Sequence, residues 1–189
     1  MASMAADSPS VYGDALAVSL APLTPADVTP AYLSWLADEV VTRYTEARFG
    51  THTPESARAY VEKVNASKTD RIWRIVHDGR HVGNIKLSGI DTQHRRASVA
   101  ILIGDRTCWG RSVGPQAIEF AAAHAFGELG LHKLTAGIYA ENTASIRAFE
   151  KAGFHIEATL REHRVLDGRL VDQVLMARFA QGRLPSSAR

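Results

Sequence analysis

The amino-acid sequence predicts a mixed α/β (α+β) fold, one sheet with helices on its faces. Three observations carry that prediction. Apolar residues recur every three and four positions in the N-terminal third and again over residues 115–129, but alternate or run continuously over residues 71–105. Two Asp-Gly dipeptides, Asp78-Gly79 and Asp167-Gly168, stand between β-branched and aromatic runs, where they suit the left-handed conformations of a tight hairpin turn. The resulting element order, ααβββαβαββ, implies a mixed sheet flanked by helices.

The elements follow in turn. LTPADVTPAYLSWLADE (23–39) carries two prolines near plausible helix starts, with Tyr32, Leu33, Trp35 and Leu36 near one face. In THTPESARAYVEKVNAS (51–67), Thr53 can cap, Pro54 suits the first turn, and Ala57, Tyr60, Val61 and Val64 recur at helical spacing. RIWRIVHDGRHVGNIKLSGID (71–91) reads as strand, turn and strand. RRASVAILIGD (95–105) alternates through Ala97, Val99, Ile101 and Ile103, while Ala100 and Leu102 fill its other face, as expected of a strand covered on both sides. A helix follows with Pro115 near its first position, a stripe of Ile118, Ala121, Ala122, Ala125, Phe126 and Leu129, and Gly130 as its C′ residue. KLTAGIY (133–139) is a short buried strand, NTASIRAFEKAGF (142–154) a helix closed by Gly153, and residues 157–179 a hairpin turning at Asp167-Gly168.

A chain of 189 residues, 46% hydrophobic, is long enough for one sizeable core, so residues 13–180 are expected to form a single domain between tails at 1–12 and 181–189. The net charge is +2, and the basic residues are scattered; the densest cluster, Arg95-Arg96 after His94, reads as a solvated strand entrance, so no nucleic-acid partner is expected. One cysteine, Cys108, excludes an intramolecular disulfide framework, and no Cys/His spacing suits zinc, so no metal is expected. No apolar run reaches the roughly 18 residues of a membrane span, and the N-terminus lacks the pattern of a signal peptide. A cytoplasmic monomer or homodimer with no membrane partner is the expectation.

The stretch CWGRSVGPQAIEFAAAHAFGELGLHK (108–133) bears on chemistry. A strand, a small-residue loop and a helix start present several unpaired N–H groups and the positive end of a helix dipole, a ready phosphate site. The spacing matches neither G-x-x-x-x-G-K-[ST] nor G-x-G-x-x-G. Arg111 either reaches a phosphate or lies exposed.

WGRSVGPQAIEFAAAHAFGELGLHKL followed by AENTASIRAFEKAGF resembles the GCN5-related N-acetyltransferases (GNAT), in particular the branch of ribosomal-protein N-terminal and amino-sugar acetyltransferases. The resemblance spans roughly residues 15–179 and implies a mostly antiparallel sheet, splayed where acetyl-CoA enters. The family loop [QR]-x-x-G-x-[GA], which wraps the diphosphate of coenzyme A, falls on Trp109–Gly114, with Ser112 in place of the first glycine and Trp109 in place of the leading polar residue. If the loop demands a positive φ at Ser112, that substitution costs roughly 1 kcal/mol. The family segment N-x-x-[AS]-x-x-x-[YF]-x-x-x-G-F is matched by Asn142, Ser145, Phe149, Gly153 and Phe154. The implied cofactor contacts are Ile101, Leu102 and Ile103 through their main chain, Trp109, Gly110, Arg111, Ser112, Val113, Gly114, Pro115 and Gln116 around the diphosphate, and Asn142, Ser145 and Phe149 beside the pantetheine arm.

Where many relatives carry a tyrosine to protonate the leaving thiolate, this chain has Phe149, which has no proton to give; Ser145, four residues earlier on the same helical face, matches the serine of the ribosomal branch and is the implied donor. Its competing role is to hydrogen-bond the thiol or cap a local carbonyl. The branch glutamate that serves as base aligns with Arg164. Period-two geometry would put Glu162 on the face of Arg164 and His163 opposite, making Glu162 the candidate base, against a plain surface ion pair. By analogy Tyr44, Arg48 and Lys86 lie near the acceptor. The expected activity is acetyl-CoA-dependent transfer to a primary amine of a small molecule, with an amino sugar or its nucleotide conjugate as the leading class. The alternatives are a protein N-terminal amine as acceptor and a non-catalytic acyl-CoA-binding regulator.

Overall fold

The computed structural model describes residues 18–180; the tails expected at 1–12 and 181–189, together with residues 13–17, lie outside the described residues. A strand not foreseen from the sequence, β1 (Val18–Pro22), comes first. Only Val18 and Leu20 of it are buried, an alternation too short to stand out among neighbouring alanines and prolines. The single helix expected over 23–39 is three pieces: a 3-10 turn at Pro25–Asp27, α1 (Pro30–Ala37) and α2 (Glu39–Thr42). Each proline stands at the first position of its turn, where its fixed φ fits and its missing N–H costs no bond. The break falls at Asp38, whose backbone is extended and whose carboxylate accepts from the N–H groups of Val40 and Val41, capping a new helix instead of prolonging the first. α3 (Pro54–Asn65) begins with a reciprocal cap, Thr53 Oγ1 accepting from Ser56 N at 3.1 Å and Ser56 Oγ from Thr53 N at 2.9 Å.

β2 (Arg71–His77) and β3 (Arg80–Asp91) are joined at Asp78-Gly79, with φ of 48° and 72°. β6 (His155–Leu166) and β7 (Arg169–Phe179) are joined in the same way at Asp167-Gly168, with φ of 51° and 75°. Both turns have the two positive φ values that match the twist of paired strands. β4 (Arg96–Ile103), α4 (Val113–Gly127), β5 (Lys133–Tyr139) and α5 (Thr143–Lys151) lie between the two hairpins.

The strands form one sheet in the order β1-β2-β3-β4-β5-β7-β6, and every neighbouring pair is antiparallel except β4 and β5. On one face, α4 lays Ala117, Ile118, Ala121, Ala122 and Ala125 against Ile75, Ile85, Leu87, Val99 and Leu134, and α5 adds Phe149 and Ala152. The run of alanines in α4 brings its axis close to the sheet. On the other face, α1 and α3 bury Tyr32, Trp35, Val61 and Val64 with Leu23 and Ile72. The parallel pair is short: Arg96, Ala97 and Ser98 meet Lys133, Leu134 and Thr135, and no register continues beyond them.

The entrance to α4 differs from expectation in one detail. The helix starts at Val113, so Pro115 stands third instead of first, and Ser112 precedes it with φ 60° and ψ 15°, a left-handed conformation. That strain lies in the positive-φ region which glycine adopts freely. At the other end Gly130, φ 60°, turns the chain after the helix has stopped at Gly127.

Two backbone substitutions test this packing. A Cβ at Gly104 would stand 2.1 Å from Cδ2 of the buried Trp35, so Gly104→Ala is expected to lose about 2 kcal/mol or more of stability in denaturant unfolding, through overpacking at the seat of α1. Ser112→Gly relieves a left-handed side-chain residue and is expected to gain roughly 0.5–1 kcal/mol in the same measurement, after the greater freedom of glycine in the unfolded chain is set against the relief.

Candidate active site

The site begins where β4 and β5 part. Arg95 O accepts from His132 N and Lys133 N, while Gly104 N donates to Val82 O; by alternation the odd-numbered residues of β4 turn their main-chain groups toward β5 and the even-numbered ones toward β3. Beyond the Ser98–Thr135 pair, the edge at Val99, Ile101 and Ile103 therefore faces a gap. Trp109 folds back to fill part of it, its Nε1 donating to Ile103 O at 2.9 Å. Leu102 is paired through its main chain opposite Asn84, so it meets the cleft with its side chain and not as a backbone donor. The cleft that opens here is about 1210 Å³ and runs from the α4 entrance, past the parted strands, to the underside of α1 and α3.

At one end of the cleft stands the α4 N-terminus. The N–H groups of Gly110, Ser112, Val113 and Gly114 have no acceptor among the described residues, and all four residues line the cleft with Trp109 and Pro115. Four N–H groups without acceptors at the positive end of a fifteen-residue helix suit an anion. Arg111 and Gln116 do not line it: Arg111 is exposed, and Gln116 Nε2 is turned back onto Ser112 O at 3.2 Å.

α5 closes the other wall of the gap. Asn142 caps it, Oδ1 accepting from Ser145 N at 3.2 Å. Its C-terminus is a Schellman motif: Phe154 N bonds Phe149 O at 3.0 Å, Gly153 N bonds Glu150 O at 2.9 Å, Gly153 has φ 78°, and the rings of Phe149 and Phe154 meet edge-on at 5.0 Å. The helix is thus fixed at both ends, and it presents Asn142, Ser145 and Phe149 to the cleft. Phe149, 2% exposed, is also core. The Ser145 hydroxyl has no partner among the described residues. Arg147 and Lys151 line the cleft from the same helix.

Another stretch of the cleft lining is built from residues far apart in sequence. Glu46 Oε1 accepts from Arg164 Nη1 at 2.9 Å and from Tyr139 Oη at 3.4 Å, and Arg164 Nε donates to Gln173 Oε1 at 2.6 Å. Burial, and then the carboxylate of Glu46, hold the Tyr139 phenol above its ordinary range, so it remains a donor. Tyr32, 4% exposed, lines the cleft with a hydroxyl that has no hydrogen-bond partner among the described residues; burial and the neighbouring Tyr60 push its pKa up to about 12. Asn84 lines the floor, and His81 Nε2, 2.9 Å from Asn84 Oδ1 and 3.0 Å from Gly83 O, fixes it. Two acceptors on one ring nitrogen require the Nε2–H tautomer, and burial lowers the His81 pKa in favour of the neutral ring.

Of the acceptor residues suggested by the sequence, Tyr44 and Lys86 line the cleft, and Arg48 and Glu162 do not. Arg48 is a latch: its guanidinium donates to Tyr139 Oη at 3.0 Å, to Arg43 O at 3.2 Å and to Val165 O, and covers the Phe49 ring at 4.4 Å. Glu162 lies exposed on a bulge, with φ 49° and its N–H bonded to Asp172 Oδ1 at 2.9 Å. Between Leu160 and Arg164 the register with β7 shifts, so the period-two inference that put Glu162 beside Arg164 does not hold. The carboxylate that lines the cleft beside Arg164 is Glu46; the two are an ion pair across 118 residues, a relation with no local signal in the sequence.

Among the described residues no group of His, Cys, Asp and Glu side chains is placed to hold a metal ion, and no helix is long and apolar enough to cross a membrane. The sequence profile of the acetyltransferase (GNAT) domain matches residues 18–155. An uncharacterized N-acetyltransferase, p20 of Bacillus licheniformis, is 28% identical over 168 residues, covering 86% of this chain and 92% of its own. Among solved structures, spermidine N-acetyltransferase from Vibrio cholerae, in complex with CoA and spermine, superposes with a TM-score of 0.77 at 21% identity, covering 86% of this chain and 95% of that one. A ribosomal L7/L12 alpha-N-protein acetyltransferase in complex with coenzyme A superposes at 0.80 with 15% identity, over 89% of this chain and 97% of that one. A profile match over most of the chain, on a sheet parted between β4 and β5 beside a donor-rich helix start, identifies the chain as a member of the GNAT acetyltransferase family.

Proposed function

We propose that the chain transfers the acetyl group of acetyl-CoA to the primary amine of a small, hydroxyl-bearing molecule, an amino sugar or its nucleotide conjugate being the class that suits it. The observation that carries the acceptor assignment is the chemistry of the far end of the cleft. Tyr32, Tyr44, Ser56, Tyr60 and Asn84 line the cleft with hydroxyls and a carboxamide, and Glu46 is the one carboxylate among the described residues of the lining, where a cationic peptide or polyamine would call for an acidic surface.

The site suits the cofactor in three respects: four free N–H groups for a diphosphate, an unpaired strand edge for an amide-bearing arm, and a cleft of about 1210 Å³ to contain both. When bound, acetyl-CoA supplies an acyl carbon already activated as a thioester. The chain's own groups do the rest. Gly110, Ser112, Val113 and Gly114 hold the diphosphate; the main chain of Ile101 and Ile103 aligns the arm, and the Ile101 N–H polarises the carbonyl. Ser145, whose hydroxyl has no competing partner, gives the departing sulfur its proton. Glu46, oriented by Arg164 and Tyr139, receives the incoming ammonium and takes up its proton directly or through water, leaving a neutral amine to attack.

Ser145→Ala is expected to lower kcat about a hundredfold with the calorimetric affinity for CoA retained. Unchanged turnover would remove the hydroxyl from the mechanism. Glu46→Gln is expected to lower kcat/KM for amines about a hundredfold, again with CoA binding intact. Thiol release measured across amino sugars and a set of peptides decides the acceptor: a peptide turned over faster than every small amine overturns the small-molecule assignment, and tight CoA binding without turnover on any amine leaves the regulator.

A further inference from the structure

We infer that the preferred acceptor carries an acid group, carboxylate or phosphate, as well as its amine, and that Lys86 binds that group; the inference rests on the acetyl-transfer reading above. Lys86 sits in the middle of β3, opposite Ile72 on one side and Ala100 on the other, and so projects from the floor of the cleft at its acceptor end. Its side chain is 24% exposed, largely withdrawn from water.

Its partners are few for a cation so placed. The nearest carboxylate oxygen, Asp70 Oδ1, is 4.0 Å away, at the limit of an ion pair. Asp70 is itself occupied, accepting from Ser67 Oγ at 3.1 Å and from Gly89 N at 3.3 Å, and it does not line the cleft. The other contact is Tyr60, whose hydroxyl lies 3.5 Å from Nζ and whose ring centroid lies 5.6 Å from it. An ammonium has three donors to satisfy, and one largely withdrawn from water whose contacts are a long hydrogen bond to Tyr60 and an ion pair at its distance limit has donor capacity left for an anion.

The surrounding charge favours the same occupant. Arg43, Lys86 and Arg164 are cations of the lining, Arg43 paired with Asp167 at 2.7 Å, whereas Glu46 is the one carboxylate among the described residues of the lining and is already held by Arg164 and Tyr139. A polyamine would add two or more positive charges beside these cations, whereas an amino acid, an amino-sugar phosphate or an amino-sugar acid would set its ammonium toward Glu46 and its acid toward Lys86.

The test is calorimetric binding to the CoA-loaded protein, with glucosamine, glucosamine 6-phosphate, muramic acid and spermidine as probes. At least one of the two acids is expected to bind about tenfold more tightly than glucosamine, the gain of a charge-assisted contact, with spermidine weakest. Whichever acid is preferred identifies phosphate or carboxylate as the group. Lys86→Met is expected to erase the gap between acid and neutral probe, and Lys86→Arg to keep most of it. Glucosamine or spermidine binding as tightly as both acids, no binding by either acid, or a gap that survives Lys86→Met would each overturn the inference. Thiol release from acetyl-CoA with the same four amines tests the catalytic reading separately: its failure would leave the binding preference standing, and a protein that acetylates glucosamine without favouring the acids would refute the role of Lys86 alone.

Discussion

Everything else in this molecule follows from two parallel strands that separate after three residues. A sheet interior normally leaves no main-chain donor or acceptor unpaired, because a buried, unbonded peptide group is expensive. Here β4 runs on to Ile103 and β5 to Tyr139 with no register between them past Ser98 and Thr135. The cost is contained because the gap is open to solvent, because Trp109 takes up the Ile103 carbonyl, and because α4 and α5 bridge the two halves on one face. A polar slot in a sheet is thus held open by apolar packing beneath it.

The walls of that slot are set by local rules. A left-handed Ser112 and a left-handed Gly110 turn four N–H groups into the cleft at the start of α4, and a Schellman motif with an aromatic clasp fixes α5. Such devices leave marks in the chain: glycine and proline at a helix entrance, asparagine at a cap, Gly-Phe at a stop. Hence the helix entrance, cap and stop that wall the cleft were legible from Trp109, Gly110, Gly114, Asn142 and Gly153, as were both hairpins from their Asp-Gly pairs. The position of α4 slipped by two residues, because proline is as acceptable third in a helix as first.

The part of the cleft around Glu46 obeys no local rule. Its carboxylate comes from Glu46, its guanidinium from Arg164 and its phenol from Tyr139, brought together only once β5, β6 and the segment before α3 are in place. The sequence showed an arginine where the resembled branch has a glutamate, and the structure pairs that arginine, Arg164, with Glu46. Glu162 misled because the alternation of side chains along a strand survives only while the register does, and β6 bulges there. Arg48 misled for a different reason: a long cation near a cleft is as readily a brace as a ligand, and here it braces Tyr139.

The parted strands also divide the sheet mechanically. β1 to β4 form one leaf and β5, β7 and β6 the other, joined along the backbone ladder only at Arg96–Ser98 and Lys133–Thr135. The junction resembles the spine of a book, with α4 and α5 as its binding. An extended, amide-bearing guest seated between the leaves would take the place of an absent strand; it would then count among the structural elements of the loaded protein, and the width of the gap would be set jointly by the polypeptide and by what it carries.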